Sequence, residues 1–338
     1  MGLMQTLGGM IRNGEVEQMR LLDDFREASA GDFAILDDFS RRLERQFGGR
    51  NIAVDGVDMP RILQSEKSIA TWNGEMIQAV FFNMGNRGNL HALQNGYGLS
   101  FDQLRRLAML ATAEEWRAVE RIGKRIGELY PRLNAVHFEQ TRRALKKVEP
   151  SALTLETADG RTITLDGWYY PNVYDGKLSQ PDVLMNADAG PDADYRASME
   201  AINPPAREAA GFTHERLADR YGNPVVERPQ LLKMSVLMKH MANSTRWVTH
   251  AQQLYEFRRL LMDPDVKAKT IEKLGEEKYS YLRQWTNRQA RPGKGATAGL
   301  NSVIGLARNG HTIAKMGLNL KTALKQTQYI GHLADVLT

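Results

Sequence analysis

The chain has 338 residues, 42% of them apolar and 25% charged, with a formal net charge of +5. This is the composition of a globular protein; it excludes an intrinsically disordered chain, and the length allows one to three domains. There is no cysteine, which excludes a disulfide scaffold, a Cys-based zinc site, an iron–sulfur cluster and a cysteine nucleophile.

Taken in chain order, the pattern is mainly helical. Residues 1–11 lack a basic start and a long apolar run, so they do not read as a secretory signal. Gly2 with Thr6 fits the short myristoylation pattern, which chance supplies readily. No stretch approaches the roughly 18 apolar residues of a spanning helix, and the expected compartment is a cytoplasm or a particle assembled there. Val16, Met19, Leu22 and Phe25, then Phe33, Leu36, Phe39, Leu43 and Phe47, predict helices over 15–28 and 32–47, the second stopped by Gly48-Gly49. Residues 50–60 read as a loop. Ile62, Ile69, Trp72, Met76, Ile77 and Val80 predict a helix over 62–83, and the glycine-rich 84–98 reads as turns.

Ser100 with Gln103, and Thr112 with Glu115, are capping boxes that predict helices at 101–110 and 113–148. Pro131 is expected to kink the second. From 152 to 166 the period changes to two around Asp159-Gly160. This predicts a β-hairpin with Leu153, Leu155, Ile163 and Leu165 on one side. Next come Trp168, Tyr169, Tyr170 and Tyr174, which read as a buried aromatic brace; an exposed set stacking on bases is the competing reading. Residues 177–195 are acidic and turn-rich, and 203–229 carry four prolines and read as extended. Leu231–Leu261 is a strong helical pattern ended by Asp263-Pro264, followed by helices at about 265–273, 276–290, 296–308 and 312–336. The expected fold is therefore mainly α, an elongated multi-helix bundle with one small β-hairpin near 153–165. Its expected regions are 1–110, 111–200 and 201–338. The long 113–148 and 231–261 helices are the expected centre of the core.

Charge is uneven. Residues 201–338 hold 21 Lys/Arg against 11 Asp/Glu, and from Lys278 to Ala334 there is no acidic residue. Within that run Arg283, Arg288, Arg291, Lys294, Arg308, Lys315, Lys321 and Lys325 are the candidate contacts to nucleic-acid phosphates or to a partner. A solvated basic face balanced by the acidic first half is the plainer account. The histidines, His91, His137, His214, His240, His250, His311 and His332, form no metal-ligand spacing. Asn186-x-Asp188-x-Gly190 lacks the closing glutamate of a calcium loop. Pro292-Gly-Lys-Gly lacks the first glycine of a phosphate loop, since Arg288 stands in its place. No Gly-x-Ser-x-Gly elbow is present. Gly2-Leu-Met-Gln5 echoes a lytic-transglycosylase fragment, but the catalytic glutamate such an enzyme needs upstream has no counterpart here. No catalytic residue, cofactor or metal ligand is assigned.

One resemblance organises these pieces. A long helix is followed by a hairpin ending in Gly-Trp-Tyr-Tyr-Pro-x-x-Tyr-Asp (167–175), then Gly211-Phe-Thr-His-Glu-Arg216, then His240 and His250 on a helix. Asp263-Pro-Asp-Val266, Leu282-Arg-Gln-Trp285 and Gly317-Leu-Asn-Leu-Lys-Thr-Ala-Leu-Lys-Gln326 complete the order. Over about 110–338 this resembles the helix-rich C-terminal region of large polyvalent phage and prophage proteins. The resemblance implies a non-enzymatic internal virion or DNA-ejection protein, or a piece of one, located in the virion interior or the host bacterial cytoplasm. Its implied partners are phage virion proteins, DNA, or a second copy of the chain; membrane contact during ejection is a further expectation without a spanning segment behind it. The other readings are a nucleic-acid-binding module using the basic C-terminal helices, and a non-catalytic fragment of a larger phage enzyme polyprotein.

Overall fold

The computed structural model describes residues 3–58, 60, 71–145, 147–173 and 229–290. Among them the chain is mainly α with one small two-stranded antiparallel sheet, as expected.

The first element, α1 (Leu3–Gln46), is a single helix of 44 residues, about 66 Å long at 1.5 Å per residue. Two helices were expected, parted near Gly31. They fuse because the inward stripe never loses phase: Leu22, Phe25, Ser29, Asp32, Leu36, Phe39 and Leu43 are all buried at alternating steps of three and four. Gly31 sits in open space on the outer side and breaks nothing. The helix closes where expected, with Gly48 at φ +70° and Gly49 N–H donating to Glu44 O at 2.8 Å.

Trp72 was expected inside a helix over 62–83. Instead its backbone pairs with Ile52 in an isolated bridge, and its indole N–H donates to Val57 O at 3.3 Å. Helix α2 (Gly74–Asn83) starts only after Asn73, whose side chain caps Met76 N. The 84–98 stretch, expected as turns, contains α3 (Arg87–Tyr97), capped by Asn86 and ended by Gly98 in the left-handed region. Both capping boxes form, opening α4 (Phe101–Ala108) and α5 (Ala113–Gly127).

The expected 113–148 helix is two helices. α5 stops at Gly127, and α6 (Tyr130–Thr141) takes Pro131 into its first turn, where a missing N–H costs nothing. The chain then leaves at Arg142 with φ +58°, and Asn134 Oδ1 accepts from Leu145 N at 2.8 Å to fold it back. The hairpin pairs β1 (Leu153–Glu156) with β2 (Thr162–Leu165), with Leu155 opposite Ile163 and Leu153 opposite Leu165. Leu155, Ile163 and Leu165 are buried and Leu153 half-buried, so the apolar face is the expected one.

Helix α7 (Ser235–Met262) ends at Asp263, which caps α8 (Pro264–Leu274); α9 (Glu276–Ala290) follows. α8 and α9 match the sequence pattern to within a residue; α7 was expected from Leu231 but begins at Ser235, with 231–233 outside the helix. The helices expected at 296–308 and 312–336 lie outside the described residues.

The centre of the core is α1, not the α5–α6 and α7 pair. α5 and α6 run antiparallel along one side of α1: Glu17 meets Arg132, Asp32 meets Arg121 and Arg125, and Arg42 meets Glu115. α7 lies along another side, with Gln18 Nε2 donating to Ala242 O at 3.1 Å. One hydrophobic core runs from Leu22 to Ala251 and draws residues from all three expected regions. A second, smaller cluster joins Phe257, Leu261, Tyr279 and Leu282. Among the described residues no helix is long and apolar enough to cross a membrane.

Candidate functional site

The aromatic segment after the hairpin is built into the core. Trp168 is 0% exposed. Its indole lies in a slot between two glycines: a Cβ at Gly85 would fall 2.3 Å from the ring's Cε2, and one at Gly123 2.3 Å from Cδ1. Its N–H donates to Phe82 O at 2.8 Å and its backbone N to Gly85 O at 2.9 Å. Gly167 at φ +84° makes the approach feasible, because a Cβ there would strike Ser151 O and Gly85 O. Trp116 stands 6.4 Å away, in turn against Phe81, so one aromatic file links α5, α2 and this segment.

Tyr170 stacks on Phe82 at 5.1 Å, and Asn89 Nδ2 donates to its carbonyl at 3.0 Å. Burial pushes the Tyr170 phenol well above its ordinary pKa, and the Glu75 carboxylate adds to the shift, so it stays protonated. Tyr169 meets the ring of His240 on α7 at 5.5 Å. The segment therefore bridges α2, α5 and α7 as a brace. Base stacking by Trp168, Tyr169 or Tyr170 is ruled out in this fold, since all three are buried. Tyr174 lies outside the described residues.

The hairpin is tied to the same wall. Asp166 N donates to Glu120 Oε1 at 2.8 Å, and Lys124 Nζ reaches Asp166 Oδ2 at 2.7 Å. Lys124 holds the Asp166 carboxyl below its usual range, and Asp166 raises the Lys124 ammonium in return.

The α1–α7 seam is polar and tight. A Cβ on Gly14 would lie 2.9 Å from Thr249 O and 3.2 Å from the His250 ring. His250, 3% exposed, is depressed to about 3, first by burial and then by the charge of Arg246. His240 is depressed to about 4 by burial. His240 lies 3.3 Å from the Ser244 hydroxyl on its own helix, and His250 Nδ1 faces Thr249 Oγ1 and Arg246 O. No group of three or more His, Cys, Asp or Glu side chains among the described residues is arranged to hold a metal ion.

Sequence reasoning missed the ionic lock of the core. Asp32, on the buried stripe of α1, receives Arg121 at 2.8 Å and also Arg125, both from α5. Arg42 donates to Glu115 Oε2 and Leu110 O at 2.8 and 2.9 Å. The available signal was an aspartate at an inward position of a heptad-like stripe, which has to find a cationic partner when buried.

Of the expected phosphate contacts, Arg283 is exposed on α9, and Arg288 falls on the same helix. Arg291, Lys294, Arg308, Lys315, Lys321 and Lys325 lie outside the described residues. The structure thus packs Trp168, Tyr169 and Tyr170 of the expected aromatic motif into the core and describes one exposed member of the basic run. The whole defines a mainly helical scaffold braced by a short aromatic segment. No family model, curated protein or solved structure matches the chain.

Proposed function

We propose that the chain is a non-enzymatic helical module of a phage internal virion or ejection protein, packed with or around phage DNA. The observation that carries this reading is the placement of Gly167–Tyr170. The segment on which the resemblance to large polyvalent phage proteins rests most clearly spends its rings and its indole N–H on packing between α2, α5 and α7. Similarity there is similarity of a packing unit, as a structural module requires. The test is mass spectrometry on purified particles of the phage that encodes the chain, with and without protease before particle opening. The chain is expected inside the particle and protected; its absence from the particle overturns the reading.

A nucleic-acid-binding module is the second reading. It is favoured by Lys278 and Arg283, which are exposed and carry no ion pair among the described residues at the start of the acid-free run. Binding of the purified chain to duplex and single-stranded DNA across a salt series tests it. Affinity that falls by several powers of ten between about 50 and 200 mM salt is the expected signature of six or more phosphate contacts. Absence of binding at the lowest salt rejects it.

A further inference from the structure

The two tyrosines of α9 face opposite ways. Tyr279 is 5% exposed, and its hydroxyl donates to Leu261 O at 2.7 Å. With Leu282 and Thr286 it forms the buried stripe that fixes how α9 is rotated against α7. Tyr281 stands two residues on, about 160° further around a helix that turns about 100° per residue. It is 54% exposed and belongs to neither hydrophobic cluster of the described residues. One tyrosine therefore packs the helix down, and the other holds its ring in solvent.

From Lys278 onward the charges beside this ring have one sign, since no acidic residue occurs between Lys278 and Ala334. Lys278 is exposed and lies one turn before Tyr281, about 60° around the helix. In register, Trp285 and Arg288 follow at the next two turns of α9, within about 40° of Tyr281. Glu277 borders this strip at its N-terminal end, where the acid-free run begins. Arg283 falls on the opposite flank, about 160° from Tyr281, and is not part of the strip. Duplex DNA asks only for the cations, because its base faces are stacked out of reach and its phosphates carry the affinity. An exposed ring set among cations suits a single strand, whose bases stack on the ring while the cations track the backbone.

We infer that the outer strip of α9, from Lys278 through Tyr281 toward Arg288, is a binding track for single-stranded nucleic acid. Tyr281 stacks on a base, and Lys278 holds an adjoining phosphate. This rests on the second reading above, nucleic-acid binding, and names both the form of nucleic acid and the residue that selects it.

Fluorescence anisotropy of a labelled oligothymidylate and of a labelled duplex, each titrated with the full chain at about 50 mM salt, tests the inference. The unmodified chain is expected to bind the oligothymidylate more tightly than the duplex. Tyr281→Ala is expected to weaken single-strand binding about tenfold and to leave duplex binding unchanged, while Tyr281→Trp, which keeps a ring, retains it. Lys278→Ala is expected to lower the salt slope for the single strand by about 0.7. Far-ultraviolet circular dichroism confirms that each variant keeps its helices. An oligouridylate run in parallel tells RNA from DNA, which offer this strip the same base faces and phosphates. Single-strand binding indifferent to Tyr281→Ala overturns the inference, as does tighter binding of the duplex; the nucleic-acid reading survives both results. Absence of binding to every probe rejects that reading and the inference together.

Discussion

The molecule contrasts a braced body with an open limb. In the body, α1 is flanked by α5–α6, and Trp116, Trp168 and Tyr170 fill the space between α2, α5 and the hairpin; Trp116 and Trp168 are entirely buried. Its charges are tied: Asp32 to two arginines, Glu115 to Arg42, Glu120 and Asp166 to Lys124. Even the half-exposed Glu17 is held down to about 2, by Arg20 and then Arg132. In the limb, α8 buries nothing and α9 buries Tyr279, Leu282 and Thr286. The difference teaches where order comes from. Both regions contain capped helices, α4 and α5 in the body and α8 in the limb, yet only the body has the two-sided enclosure that makes a helix resist opening.

The largest expected break is in the brace. Trp168→Ala is expected to cost about 3–5 kcal/mol in urea unfolding, and Gly123→Ala, which forces a methyl into the indole, about 1–3 kcal/mol. Tyr281→Ala on the limb is expected to cost under about 0.5 kcal/mol. Equal losses would erase the contrast.

Asp32→Ala comes next. It leaves Arg121 and Arg125 facing a buried stripe without their acid, and both keep some solvent access, so the expected loss is about 2–3 kcal/mol. Asp265→Ala on α8 is the matching limb control, with no measurable loss expected beyond a few tenths of a kcal/mol. Chemical denaturation of the two variants side by side checks it.

Acid should loosen α7 from its neighbours, at Gly14 of α1 through His250 and at Tyr169 of the brace through His240. His250 and His240 are depressed in the folded state, so the unfolded chain binds more protons below its own pKa near 6.5. Their contribution is complete above pH 6.5 and is lost as pH falls toward 3–4, at up to about 1.4 kcal/mol per pH unit for each fully neutral histidine. Stability measured from pH 7.5 to 4.5 should therefore fall, and His250→Asn should flatten that slope. An unchanged slope in that variant would remove His250 from the account.

The smallest effect is a gain. Arg142 ends α6 in the left-handed region at φ +58°, a conformation that costs a residue with a Cβ about 1 kcal/mol. Arg142→Gly is expected to raise the melting temperature by a few degrees. Hydrogen exchange gives the regional version of the same contrast, with α8 amides exchanging far faster than those of α5.

Much of this was legible. The capping boxes at Ser100 and Thr112, the hairpin around Asp159-Gly160 and the α7–α9 boundaries rest on local rules of periodicity, capping and turn chemistry, so the chain alone reveals them. Other features depended on contacts remote in sequence. α1 is continuous because Asp32, in the middle of its inward stripe, is received by Arg121 and Arg125 of another helix. Trp72 lies outside a helix because its backbone pairs with Ile52. The 113–148 pattern stops at Thr141, short of its expected end, because Asn134 and Tyr130 recapture Leu145. The brace shows both sides. A Trp and two Tyr after Gly167 announced an aromatic cluster. Only the tertiary structure decided that it faces inward, because the slot for Trp168 is cut by Gly85 and Gly123, each remote from it in sequence and each read in isolation as an ordinary glycine.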